Sequence, residues 1–320
     1  MAQDRPRFAI AVILIAMLAI SVNDMLIKFM SPRYALHQMV LIRSVIGIAG
    51  TLVILQFEGG WHKLKTRRPG LHILRALLVV AANLIFFSGL SVLPLGQATA
   101  VFFVAPLIIT LLSIPVLGER VGPRRIVAVL IGLTGVAVMM VRGDAGGFNW
   151  LLLLPAVAAA FYAGMQVLTR KLSGESSAAA MAVNIQSAFI VVSLAFYAVA
   201  GDGRHADRFD SPSLQFLFRA WVWPERGDLW LFLLIGLLST VIGWCLSQAY
   251  RSANAAAVAP FEYAALPLAV FWGWSIWGET PDLRTVAGIA LIGGAGLYVF
   301  ARESATGRGQ PTPRPRPLRR

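Results

Sequence analysis

Glu262 stands in the run AAAVAPFEYAALPLAVFWGW, residues 255–274, between Pro260 and Pro267. A carboxylate in surroundings this apolar pairs with a buried cation, holds a polar ligand, or takes up and releases a proton. The prolines add a second polar element. Each lacks an N–H and its ring crowds the preceding turn, so a helix carried across them frees carbonyls for water, side chains or a ligand. Other charges in or at the edge of apolar runs are Asp24, Lys28, Arg43 and Arg75. Asp24 and Lys28 are spaced i,i+4, which lets them pair across one helical turn. Lys28 also lies near the end of its run, where a long amine can snorkel to the interface.

Uncharged polar side chains share these runs. Asn83, Asn184, Gln186 and Gln248 either line a polar cavity or bond one helix to another. Thr240, Trp244 and Gln248 recur at i, i+4, i+8, one helical face. Tyr263 and Trp272 offer rings on which a flat ligand would stack, and the same rings serve packing equally well. The candidate substrate or coupling set is therefore Glu262, Asp24, Lys28, Arg43, Asn83, Gln186, Trp244, Gln248 and Tyr263, with helix breaks at Pro260 and Pro267. The competing reading of Glu262 is a fixed pair with Arg43 or Arg75 that only pins helices together.

Signatures of catalysis are missing. The chain has no P-loop, no HExxH and no GxSxG, which argues against an enzyme and against an ATP-driven pump. His37, His62, His72 and His205 lack ligand spacing, so no metal site and no cofactor are expected. The single cysteine, Cys245, excludes an intramolecular disulfide and a CxxC pair.

The elements that must carry these residues follow from composition. The chain has 320 residues, is 58% hydrophobic and only 13% charged, with mean hydropathy +0.71. A soluble domain carries about 25% charged residues, so too few charges remain to cover a globule of this size. The apolar residues fall in blocks of about 20, the length that crosses a bilayer as helix. Ten blocks are expected as spans: 8–30, 36–56, 72–91, 96–117, 124–141, 149–169, 178–200, 228–250, 255–277 and 284–301. The first continues without a small-residue cleavage site and reads as an uncleaved span. The long connection 201–227 carries LQFLFRAWVWPERG, an aromatic segment expected at the membrane interface.

The chain also repeats itself. APLIITLLSIPVLGERVGPRRIVAVLIGLTGV at 105–136 matches LPLAVFWGWSIWGETPDLRTVAGIALIGGAGL at 266–297 in Pro-Leu, Gly-Glu and Leu-Ile-Gly-x-x-Gly. Pro106 pairs with Pro267, Gly118-Glu119 with Gly278-Glu279, and Gly132/Gly135 with Gly293/Gly296. A five-span unit is thus written twice, and because five is odd the second copy enters from the opposite side. The fold class expected is an all-α integral membrane protein of ten transmembrane helices in two inverted five-helix repeats. The first repeat occupies residues 1–145, the second 146–303 with the extracytoplasmic loop 201–227, and 304–320 form a disordered basic tail. The glycine faces of spans 5 and 10, and Ala156, Ala160 and Gly164 on span 6, suit close helix packing or a homodimer contact.

Net charge is +13, yet the basic residues gather on no single helical face, so nucleic acid is not an expected partner. With both termini on one side, eighteen of the 28 Lys and Arg residues fall in segments on that side and seven on the other. The bias puts both termini in the cytoplasm.

The ten spans, the Gly-Glu after the fourth and ninth, and the glycine-rich fifth and tenth resemble the drug/metabolite transporter superfamily, EamA type, across 8–301. The segment AYRSANAAAVAPFEYAALPLAVFWGWSIWGETPDLRTVAGIALIGGAGLYV carries most of the likeness. The resemblance implies a secondary transporter in a bacterial inner membrane. It would move a small polar metabolite, a vitamin or an amino-acid-like, nucleoside-like or amine compound, by alternating access between bilayer faces. Proton coupling through a carboxylate fits that scheme. The alternative is a polytopic membrane enzyme acting on a lipid-linked substrate, which would need an acidic or histidine cluster at one membrane face.

Overall fold

The computed structural model describes residues 6–57, 59–64, 68–118, 122–141, 147–172, 178–252 and 259–305. Glu119 and the tail beyond 305 lie outside the described residues. Runs of Leu, Ala, Val and Ile meet their own backbone hydrogen bonds as helix, which hydrocarbon demands. Twelve α-helices are described: α1 Pro6–Met30, α2 Leu36–Phe57, α3 Pro69–Leu90, α4 Leu95–Phe102, α5 Ala105–Leu117, α6 Pro123–Met140, α7 Leu153–Leu172, α8 Ala178–Ala200, α9 Pro212–Phe218, α10 Leu229–Ser252, α11 Ala265–Trp277 and α12 Leu283–Ala305. Prolines open α3, α6 and α9, where a missing N–H costs nothing. Asp282 caps α12 by accepting from the Thr285 N–H at 2.8 Å. The Thr285 hydroxyl and N–H together hold the Asp282 carboxyl below its ordinary range.

Seven segments among the described residues are long and apolar enough to cross a membrane, and shorter apolar helices run at Ile126–Met140 and Leu283–Tyr298. The block expected at 255–277 is not one continuous helix. Its described part is a 3-10 segment, Ala259–Ala264, followed by α11 of 13 residues. The block expected at 96–117 is also divided, at Phe103 and Val104 between α4 and α5. Pro106 lacks the N–H that would bond the Phe102 carbonyl, as Pro267 does for Tyr263. The two halves therefore break at matching places. α5 and α11 are both 13 residues long, start 160 positions apart, and end on glycines in the left-handed region, Gly118 at φ 71° and Gly278 at φ 67°. A side chain is strained there, which is why Gly closes both helices.

Packing respects the repeat. α3 packs on α7 as α1 packs on α10; α5 lies on α7 as α11 and the 3-10 segment lie on α1. α2 and α8 meet each other, and α6 lies along α12. Gly135 and Gly288 admit the closest approach of that last pair, since a Cβ on either would meet the other's carbonyl oxygen within 3.0 Å. Large apolar side chains such as Leu130, Val191, Val53 and Leu237 stay exposed on the bundle surface, the pattern of a protein solvated by lipid rather than water.

The segment 201–227 is fastened down rather than laid along the interface alone. α9 packs on α2 and α3, with Phe216 fully buried. Beyond α9 the chain is tied to the α1–α2 turn. Arg219 donates to the Ser31 carbonyl at 2.8 Å, Gln38 to the Val222 carbonyl at 2.6 Å, and the Tyr34 hydroxyl to Asp228 at 2.7 Å. The amphipathic spacing of this stretch satisfies a protein surface as well as a lipid one. The bundle end it covers is called the long-loop face below.

Candidate functional site

The two helix breaks meet. The rings of Phe103, between α4 and α5, and Tyr263, in the 3-10 segment, lie 5.1 Å apart. Thirteen helical residues separate Tyr263's segment from the long-loop face, about 20 Å at 1.5 Å per residue, which puts the breaks deep in the bundle. Glu262 is half-buried here, and its charge reaches the phenols of Tyr162 and Tyr263. Tyr162, on α7, accepts from Gln166 at 2.7 Å. Phe86, Phe102 and Tyr162 continue the aromatic wall at centroid spacings of 5.0 and 5.3 Å. Tyr263 fits only because residue 296 is glycine: a Cβ there would lie 1.7 Å from the Tyr263 hydroxyl oxygen. That hydroxyl is buried with no hydrogen-bond partner among the described residues.

A second polar group lies nearer the long-loop face. Asp24, Arg43 and Asn83 each sit six or seven residues from the helix end at that face, about 10 Å in. Arg43 is buried, donates to Asn83 at 3.2 Å, and stands 5.3 Å from the Phe189 ring and 5.9 Å from that of Phe87. Its Nε finds no partner among the described residues. Asp24 accepts from Asn23 at 3.1 Å and feels the Arg43 charge. Gln186 stands a turn deeper, donating to Ser239 at 2.9 Å against Gly47.

Lys28 does not pair with Asp24. It pairs with Glu279, which follows α11 and its Gly278 cap. The Lys28 ammonium also donates to the Leu93 carbonyl at 2.7 Å and lies 4.9 Å from the Trp277 ring centroid. The other Glu279 oxygen accepts from the Leu95 N–H at 2.8 Å, where the N-terminal end of α4 favours an anion. Asp24 lies one turn deeper than Lys28, away from this cluster. Arg284, five residues along the chain from Glu279, donates to the Val141 carbonyl at 3.4 Å instead.

The remaining candidates are dispersed. Arg75 donates to Thr169 at 2.8 Å at the end of the bundle away from the long-loop face. Trp244 is exposed and Gln248 half-buried, while Thr240 faces Gly50 on α2. Pro267 borders an apolar groove with Leu266, Val270 and Trp274. For Pro260 only the backbone, within the 3-10 segment, is described. Residues the spacing did not flag are Tyr162, Phe87 and Phe189, whose aromatic type alone resembles ordinary packing. Glu279 carried a signal, since its Gly-Glu recurs at 118–119.

Comparison with known proteins adds identity to this geometry. The EamA-like transporter family matches residues 7–141 and again 149–301. A riboflavin transporter of Rhizobium johnstonii is 30% identical over 244 residues, 76% of this chain and 74% of that one. An S-adenosylmethionine uptake transporter of Rickettsia prowazekii is 26% identical over 292 residues, 91% of each. A crystal structure 19% identical in sequence has the same fold, with a TM-score of 0.65 over 93% of this chain and 98% of that one. With two matched units and helices of membrane-spanning length, the chain belongs to the EamA-like transporter family.

Proposed function

We propose that this membrane protein, a transporter rather than an enzyme, is a secondary transporter of a small polar metabolite. It works by alternating access across a bacterial inner membrane. Ten spans in two inverted five-helix repeats, with both termini cytoplasmic, are the architecture of this reading. The broken halves α4–α5 and 3-10–α11 count as spans four and nine. The observation that carries the reading is the meeting of the two breaks at Phe103 and Tyr263 beside Glu262. Paired half-helices at mid-membrane expose backbone ends where inverted repeats hold their cargo. Arg43, Asp24 and Asn83 supply a second polar patch on the way to the long-loop face, and the aromatic wall gives a planar cargo surface to stack on. The relatives named for riboflavin and S-adenosylmethionine suggest cargo that joins a ring system to polar groups.

The test is uptake of labelled riboflavin and S-adenosylmethionine by vesicles holding the purified protein, with and without an imposed pH gradient. Glu262→Gln keeps size and hydrogen-bonding capacity but cannot ionise. The variant is expected to reach the membrane folded and to lose at least nine-tenths of uptake. Wild-type uptake by a folded Glu262→Gln protein at every pH would remove Glu262 from the mechanism and leave Asp24 and Arg43 as the binding pair.

A further inference from the structure

The packing sorts the helices around the breaks into two groups. One gathers α3 and α5 on α7, the other gathers α10, α11 and the 3-10 segment on α1; α4, continuous with α5, lies on both α7 and α11, so the two groups meet along it. At the long-loop face four polar groups tie these groups together. Lys28 ends α1 and Glu279 follows α11, both in one group. Their free valences reach across to the other: the ammonium to the Leu93 carbonyl, the carboxylate to the Leu95 N–H, both in the α3–α4 turn. Lys28 is 91% out of contact with solvent and Glu279 79%. Gly273, one turn before the end of α11, makes room for the carboxylate, because a Cβ there would lie 2.8 Å from Glu279 Oε2.

We propose that Lys28 and Glu279 form a latch that closes the transport path at the long-loop face by holding the α3–α4 turn. The proposal rests on the alternating-access reading. A plain ion pair within one helix group would not oppose separation of the groups. This pair does, because each charge spends a further hydrogen bond on backbone across the divide. The latch also responds to water. In the closed form both charges are largely withdrawn from water and each needs its partner. As the groups part, water enters and solvates the ammonium, the carboxylate and the freed Leu93 and Leu95 backbone, so opening and hydration favour one another. The face of the Trp277 ring beside the ammonium adds a cation–π attraction that favours the closed form.

The latch is read by the accessibility of a thiol beneath it, in the absence of any cargo. Thr99 lies one turn below Leu95 on α4, buried, with a hydroxyl that has no partner among the described residues. Thr99→Cys in a Cys245→Ser background supplies the reporter, and Arg226→Cys on the exposed loop supplies a control. A membrane-impermeant maleimide is added to protein in vesicles. Lys28→Met, Glu279→Gln and Gly273→Ala are each expected to speed labelling at position 99 by tenfold or more, with the control rate unchanged. Gly273→Ala keeps both charges and only displaces the carboxylate, so it separates a latch from a general charge effect. If a variant fails to yield helical, monodisperse protein, the others decide. Folded variants that label as slowly as the parent overturn the latch. A parent protein that moves neither cargo defeats the transport reading alone, because the labelling rates need no cargo.

Discussion

Arg43 carries its charge among α1, α2, α3 and α8 with one side-chain hydrogen bond, to Asn83, two aromatic rings and the more distant Asp24. Removing one member of a buried charged set leaves the other uncompensated, at a cost of about 3–5 kcal/mol. Arg43→Met is accordingly expected to lower the denaturation midpoint sharply. Arg43→Met with Asp24→Asn should recover most of the loss, measured by detergent or thermal unfolding of purified protein. Equal midpoints for the single and double variants would show that Asp24 and Arg43 do not depend on each other. That Glu262, Arg43 and Asp24 are candidates was legible in the sequence, because hydropathy makes any charge in an apolar block conspicuous. Their partners were not. Spacing i,i+4 offered Asp24 to Lys28, but tertiary structure delivers Glu279, 251 residues away in sequence, and no local pattern encodes a contact at that distance.

At the scale of single helices, glycine decides more than proline. The Gly-Glu pairs marked the ends of α5 and α11 correctly, since a left-handed cap needs Gly. The break between α4 and α5 was missed, because Pro106 near the start of a helix is compatible with unbroken helix further on; only its pairing with Pro267 hinted at it. Gly296 is the sharper case. Its missing Cβ accommodates Tyr263, whose hydroxyl oxygen and Cζ would lie 1.7 and 2.4 Å from that atom. Gly296→Ala is expected to cost about 1–3 kcal/mol through overpacking and to cut uptake by pushing the ring toward Glu262. Tyr263→Phe keeps Cζ and should not relieve the clash. In a Tyr263→Ala background, Gly296→Ala should cost nearly nothing. A double-mutant cycle on unfolding midpoints measures this coupling, and additive effects would mean that α12 simply shifts away.

Across the whole chain, the repeat and the charge bias were the readable features, since both are written in residue type. The orientation they imply has a direct check. In the Cys245→Ser background, a thiol at His205 should react with an impermeant reagent applied to intact cells, and one at His62 only after lysis; the reverse pattern would invert the topology. The closed long-loop face was beyond reach from sequence, because it is assembled from four separate stretches. The equal lengths of α5 and α11, each ended by the same kind of glycine, have a thermodynamic consequence. Under the proposed inverted-repeat, alternating-access scheme, two identical copies could exchange conformations at no cost, and the two end states would be equally populated by symmetry. Only positions where the copies differ tilt that balance, as where α11 carries Trp272, Trp274 and Trp277 while α5 is built of Leu and Ile. A difference of about 1 kcal/mol, the size of one exposed ion pair, shifts the ratio roughly fivefold. On the alternating-access reading, the resting bias of this protein is therefore set by the positions at which the copies differ, which outnumber those they share even across 105–136 and 266–297.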